Sequence, residues 1–353
     1  MNYRIPARKL RSSIITAILC AAITLFAPIG STFAADPERS AAELITPTTQ
    51  KSIDRGLALL ASRQADDGSF GSGGYSRNVA VCALAGMAFM SGGSSPQRGP
   101  YGAQIERCID FILANMQESG FIAVPGAASH GPMYGHGFAT LFLAECYGMS
   151  PRSDLREPLT KAVNLIVNTQ NNQGGWRYQP QRRDADISVT IAQVMALRAA
   201  RNAGLHVPRE TIDASVDYVK RSQNPDGGFM YMLQGGQSAF PRSAAGVVAL
   251  YSAGIYEGPE LEKGLAYLDQ FKPQPGDFNR ESHYFYGHYY AVQAMWQAGG
   301  DRWDGWYPGI RDALLSRQGD EGGWMDSICL EYGTAMACII LQLPNNYLPI
   351  FQR

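Results

Sequence analysis

Apolar residues recur at i, i+4 and i+7 in several stretches, as in Ile105, Ile109 and Ile112, in Leu159, Val163 and Ile166, and in Ile212, Val216 and Val219. That spacing lays one stripe along a helix and predicts amphipathic helices with a single buried face. Other stretches alternate with them and are apolar on almost every side: residues 79–90, 138–147, 187–200, 244–253, 289–298 and 334–343. A helix that is apolar all round is buried all round. The pattern therefore predicts paired helices, the first of each pair outside and the second inside.

Between the two helices of each pair stands a glycine-rich phrase led by glutamine. Four copies are full: Gln64-Ala-Asp-Asp-Gly-Ser-Phe70, Gln170-Asn-Asn-Gln-Gly-Gly-Trp176, Gln223-Asn-Pro-Asp-Gly-Gly-Phe229 and Gln318-Gly-Asp-Glu-Gly-Gly-Trp324. Gln117-Glu-Ser-Gly-Phe121 is a shortened copy, and the stretch from Gln270 to Phe278 a worn one. The leading glutamines are 53, 53, 53, 47 and 48 residues apart, a fixed period that marks one unit copied six times. The glycines permit positive φ and close backbone approach, the aromatic residue plugs between neighbouring outer helices, and the glutamine satisfies backbone groups at the end of its own helix. An open solenoid needs polar capping repeats, yet the first and last inner helices are as apolar as the middle ones. The expected fold is all-α, a closed (α/α)6 barrel (toroid) of six helical hairpins over residues 50–353.

Residues 1–34 read as a signal peptide. Arg4, Arg8, Lys9 and Arg11 precede the apolar stretch 14–30, and Thr32-Phe33-Ala34 suits cleavage before Ala35. Residues 35–49 are expected to be a linker, and the protein to be exported, periplasmic or secreted, with membrane contact left open. Loss of the four cations takes the formal charge from −1 to −5, which gives no electrostatic case for nucleic acid. Cys82, Cys108, Cys146, Cys329 and Cys338 remain, an odd number with no zinc-ribbon spacing.

The glycine phrase at this period resembles the repeat of the terpene cyclase and protein prenyltransferase superfamily, as in squalene–hopene cyclase. Gly174-Gly-Trp-Arg-Tyr178, Ser188-Val-Thr190 and Tyr286-Gly-His-Tyr-Tyr-Ala-Val-Gln-Ala-Met-Trp296 are similar to a group of exported bacterial proteins with one such barrel. The resemblance implies a central cavity. Class II cyclases carry Asp-x-Asp-Asp, whose middle acid protonates an isoprenoid double bond or epoxide. Asp184 and Asp186 match the first two acids, so Asp186 would be the proton donor; the third position is Ile187. Arg182 and Arg183 beside Asp186 are expected to lower its pKa. The prenyltransferase zinc pattern Asp-x-Cys is absent, and neither a metal nor a cofactor is expected.

A polar position recurs early in the inner helices, at His136, Thr190, Ser243, His288 and Thr334. In a closed barrel these would ring the cavity mouth, where helix N-termini favour anionic or polyhydroxylated ligands. Tyr134-Gly135-His136 and Tyr286-Gly287-His288 match each other, and Tyr284, Tyr286, Tyr289 and Tyr290 could wall a cation or stack on sugar. His136, Thr190, Tyr284, Tyr286, His288 and Tyr289 are the candidate ligand-binding residues, and Asp186 and Asp184 the candidate catalytic ones. Glu145, Glu281 and Glu331 could pair with Asp186 in a two-carboxylate site. The expected function is binding of an isoprenoid or other apolar ligand by a cyclase-like protein that has lost the full cyclase motif. The alternatives are an active class II cyclase, an isomerase or lyase working by general acid catalysis from Asp186, and a protein that binds or cleaves polysaccharide. The partner is accordingly a small apolar or glycan ligand; oligomeric state is left open.

Overall fold

The computed structural model describes residues 43–126, 131–274 and 282–352, besides Met1. The expected cleavage site and nearly all of the leader lie outside the described residues. Twelve α-helices and no strand occur among the described residues. The outer helices are α1 (Pro47–Arg63), α3 (Gly102–Ala114), α5 (Arg156–Thr169), α7 (Arg209–Arg221), α9 (Pro259–Asp269) and α11 (Gly300–Arg317). The inner ones are α2 (Val79–Ser91), α4 (Pro132–Met149), α6 (Ile187–Asn202), α8 (Phe240–Ser252), α10 (Tyr284–Ala298) and α12 (Leu330–Gln342). Helix α1 starts at Pro47, within the expected linker, with Thr46 as N-cap.

Burial follows the predicted alternation. In α2 every residue but Ala80 is buried, whereas α7 buries one face, Thr211, Ile212, Ser215, Tyr218 and Val219. Inner helices α4 and α10 begin several residues before their apolar runs, because Gly135 and Gly287 weaken the sequence signal. Those glycines are packing contacts: a Cβ on Gly135 would lie 2.6 Å from Val79 Cγ2, and one on Gly287 2.6 Å from the Phe240 ring.

The glycine phrase joins each hairpin to the next. Gly174 has φ +95°, and a Cβ there would lie 2.0 Å from the carbonyl oxygen of Ala214 on the following outer helix. Gln170 Nε2 donates to Gly174 O (2.9 Å) within its phrase and to Thr211 O (2.9 Å) at the next outer helix. Gln64 and Gln223 repeat this double bond with Gly68 and Gln104, and with Gly227 and Glu260. The glutamine thus ties two hairpins together rather than finishing its own helix.

Gln318 makes the same two bonds, to Gly322 O (2.7 Å) and to Ser52 O (2.8 Å), and Ser52 belongs to the first outer helix. The sixth hairpin therefore engages the first as the first, third and fourth engage their successors. Gln342 Nε2 reaches Ala88 O (3.0 Å) across the inner layer, and Arg63 Nε pairs with Glu331 (2.5 Å). Each inner helix packs against its two inner neighbours, α12 against α2 included. The ring is closed.

Candidate functional site

Closing six hairpins leaves a space on the axis. A cavity of about 600 Å³ opens at the N-terminal ends of the inner helices, and all six contribute to its wall. Tyr75, Tyr134, Tyr178, Tyr231, Tyr286 and Tyr332 supply most of its aromatic surface. Phe138 lies deeper, and its ring meets Tyr289 edge-on at 6.2 Å, which in turn meets Phe351 at 6.3 Å. This aromatic column separates the cavity from the C-terminal tail.

The tyrosines are fixed by hydrogen bonds as well as packing. Tyr286 Oη donates to Ser188 O (3.2 Å), reaching from α10 to α6. The hydroxyls of Tyr178 and Tyr231 are hydrogen-bonded to each other. Arg177 lies over both of their rings, with centroid distances of 4.9 and 5.6 Å, and pairs with Asp184 at 3.0 Å. Among the described residues no carboxylate lines the cavity; its lining cations are Arg77 and Arg242.

Asp186 lies behind this wall. It is fully buried as N-cap of α6, with Oδ1 accepting from Val189 N (2.9 Å), while Oδ2 has no hydrogen-bond partner. Burial raises its pKa to about 6, against the opposing pull of the Val189 N–H and the Arg177 guanidinium. The expected lowering by Arg182 and Arg183 does not occur. Arg182 Nε donates instead to Gln170 O (2.8 Å), and Arg183 is exposed. Asp184 is half exposed in its pair with Arg177, and Ile187, in the place of the third acid, is buried in the core.

The recurring polar position faces away from the cavity. Thr190 Oγ1 accepts from Trp176 N (3.1 Å), Ser243 Oγ from Phe229 N (2.9 Å) and Thr334 Oγ1 from Trp324 N (3.1 Å). His136 does the same work, its Nδ1 accepting from Ile122 N (3.2 Å). With that nitrogen an acceptor, Nε2 carries the proton and donates to Ala162 O (3.2 Å). Burial lowers the His136 pKa to about 4, so the ring is neutral near pH 7. His288 is buried among Tyr284, Phe240 and Trp306, with ring centroids 4.4, 5.0 and 6.0 Å away. The expected polar ring at the mouth is thus corrected: these side chains hold the glycine phrases or pack behind the wall.

Of the candidate ligand-binding residues, Tyr286 alone lines the cavity. Tyr284 lies outside the lining beneath Arg317, whose guanidinium is 4.3 Å from its ring centroid. Tyr289 is buried below the floor, and His136, Thr190 and His288 point backwards. A difference of two residues turns a helix by about 200°. The matched tripeptides therefore carry their cavity residue at the tyrosine, Tyr134 and Tyr286, and not at the histidine. Tyr178 and Tyr231, which the pattern reading missed, sit two residues after the phrase aromatics Trp176 and Phe229, so the repeat itself held that signal. The remaining acids do not meet Asp186. Glu331 is held by Arg63 and Ser72, and Glu145 lies near the tail, within 3.4 Å of Ile350 N; Glu281 lies outside the described residues.

Comparisons with known proteins agree with this geometry. The family model of the prenyltransferase alpha-alpha toroid domain matches residues 44–160 and 150–272. A drimenyl diphosphate synthase of Streptantibioticus cattleyicolor is 31% identical over 124 residues, 35% of this chain and 23% of that protein's length. The type II terpene cyclase MstE of Scytonema shares the fold at TM-score 0.59 and 14% identity, over 86% of this chain and 100% of that one. A GH76 α-mannanase of Bacteroides thetaiotaomicron shares it at TM-score 0.63 and 13% identity, over 88% and 98%. Likenesses this distant show the toroid and nothing of its chemistry. With more than half its length matched by one family model, and with a terpene-cyclase-like ring of paired helices, the chain belongs to the prenyltransferase alpha-alpha toroid domain family.

Proposed function

We propose that this toroid binds an isoprenoid or another apolar ligand in its central cavity and does not carry out a full class II cyclisation. The observation that carries this reading is the cavity itself, about 600 Å³ and walled by tyrosines from the inner-helix ends. That volume is in the range of small-molecule sites, and aromatic faces supply large apolar contact area. The likeness to terpene cyclases supports the same ligand class. Asp186 supports binding over turnover. Its carboxyl is sealed behind the wall, and with a pKa of about 6 it holds its proton in about one molecule in ten at pH 7. The expected leader would place this binding in the periplasm or outside the cell.

The test is native mass spectrometry of the purified chain, followed by fluorescence titration with geranylgeraniol and with an α-1,6-mannotriose. Saturable one-to-one binding of the isoprenoid alcohol is expected. Binding of the mannotriose without the alcohol would sink the reading in favour of the glycan alternative.

A second reading, an active cyclase with Asp186 as proton donor, is favoured by the buried Oδ2 without a partner and by the raised pKa. Chromatographic analysis of products from squalene and from geranylgeranyl diphosphate decides it. Asp186→Asn keeps a good N-cap and removes the acid, so it separates chemistry from folding. Cyclic product from the wild type that disappears in Asp186→Asn establishes the cyclase.

A further inference from the structure

The wall of the ring, away from the cavity, holds chemistry that ligand binding does not use. Cys82 and Cys108 are both fully buried and come from different hairpins, one on inner helix α2 and the other on outer helix α3, which pack together. Cys82 Sγ lies 4.0 Å from Cys108 O and 3.5 Å from Gly68 O. Gln64 Nε2, which ties these two hairpins, lies 3.4 Å from Cys108 Sγ. Both thiols therefore share one small space behind the glycine phrase. Burial pushes the Cys82 thiol well above its ordinary pKa, and the Cys108 thiol beside it adds to the rise.

The repeats set this pair apart. Each tying glutamine reaches a carbonyl on the next outer helix, at Gln104, Thr211, Glu260 and Ser52. Four residues further along the same helix face stand Cys108, Ser215, Gly264 and Gly56. The facing position, about one turn into the inner helix, holds Cys82, Thr190, Ser243 and Thr334. The sister pairs are thus Thr190 with Ser215, Ser243 with Gly264 and Thr334 with Gly56, a hydroxyl opposite a small residue. In the second hairpin His136 Nε2 reaches Ala162 O (3.2 Å) as Cys82 Sγ reaches Cys108 O, so these two pairs occupy the same place. At one junction of the ring both facing residues are cysteine, and at these four others neither is. Scaffold duty alone asks only for a hydroxyl and a small residue.

We propose that Cys82 and Cys108 are an oxidative modification site, joined by a disulfide that cross-links the first hairpin to the second. The expected leader would deliver the chain to a compartment that oxidises thiols. The reaction is an exchange with a small disulfide such as oxidised glutathione. The thiolate of one cysteine attacks a sulfur of the oxidant, forms a mixed disulfide and releases one glutathione thiolate. The second cysteine then attacks the protein sulfur of that mixed disulfide and expels the other glutathione. The protein loses two electrons and two protons, and the oxidant leaves as two thiols. Both sulfurs are sealed in the folded ring, so the bond forms during folding and is protected from reductants afterwards.

The test unfolds and reduces the full chain and refolds it in a buffer of oxidised and reduced glutathione. Free thiols are then blocked with N-ethylmaleimide in urea, and the peptides are mapped by mass spectrometry. Peptides joined through Cys82 and Cys108 are expected, with the remaining cysteines alkylated. Cys82→Thr with Cys108→Ser copies the junction of Thr190 and Ser215, so it keeps the packing and removes the bond. The oxidised wild type should exceed its reduced form by roughly a hundredfold in the folded-to-unfolded ratio, read from urea unfolding with and without reductant. The double variant should show no dependence on reductant. Alkylation of both cysteines after oxidative refolding overturns the proposal, as does a bridge from either of them to any other cysteine, Cys146 included. An oxidised wild type no more stable than its reduced form overturns it too.

Discussion

The two ends of the toroid are built from the same six inner helices and differ in almost every respect. At the N-terminal end tyrosines and two arginines surround an open cavity. At the C-terminal end the tail runs beneath them and fills the space. Leu343, Leu348 and Phe351 are buried there, Trp296 Nε1 donates to Phe351 O (3.1 Å), and Asn345 Nδ2 donates to Ser91 O (3.2 Å). The electrostatics diverge too. The mouth gathers helix N-termini and the Arg242 guanidinium, which pairs with no carboxylate among the described residues, whereas the closed end holds a buried acid, Glu145, whose pKa burial raises to about 8. A carboxylate would be disfavoured there both by desolvation and by the negative end of its own helix. One end is open and the other is filled.

If that contrast is right, changes at the closed end should cost stability and changes at the mouth should cost binding. The largest effect is expected on deleting residues 343–353. Loss of three buried apolar side chains should destabilise the fold by at least ~4 kcal/mol, read from urea unfolding. Retention of wild-type stability by that truncation would dissolve the distinction between the ends.

The next effect is a pH dependence. Glu145 titrates near 8 when folded and near 4.5 when unfolded, so the stability it confers by being neutral is complete below pH 4.5 and is lost as pH rises through 8. Between pH 6.5 and 8 the two other groups that matter contribute little and in opposite directions: Asp186, near 6 when folded, loses its last protons and adds slightly to the loss, whereas His136, near 4 when folded and 6.5 when unfolded, opposes it as the unfolded imidazole deprotonates. The wild type should lose about 2 kcal/mol across that window, and Glu145→Gln should show no such slope in denaturant melts at matched pH. The smallest effect belongs to the mouth. Tyr178→Phe breaks the hydroxyl pair with Tyr231 and should cost about 1 kcal/mol or less, while ligand titration registers the altered wall.

Legibility in the sequence followed physical scale. The ring was readable because its signals are long and repeated: a period near 53 residues, inner helices apolar on all sides, and glutamines that tie neighbours. The cavity wall was not, because it depends on rotation about each helix axis. His136 and Tyr134 differ by two positions, and one joins the scaffold while the other faces the cavity. The Asp186 environment was misjudged for a related reason. Arg182 is near it along the chain but spends its Nε on Gln170 O, whereas Arg177, nine residues away, is the cation that acts on it. Adjacency in sequence says little about direction in a loop.

The closing seam has a consequence for how the molecule comes into being. Arg63 meets Glu331 across 268 residues of chain, and Gln342 meets Ala88 across 254. Every other junction joins hairpins made one after the other, but this one waits for the last of them. Until α12 is made, α1 and α2 present apolar faces with nothing to cover them, so the chain emerges as an unclosed arc whose most exposed edge is also its oldest. Pairings so remote in sequence slow folding. Nor can a hairpin be trimmed from either end as from a solenoid, where each repeat needs only its neighbours. A hoop with a stave removed has no smaller hoop to relax into.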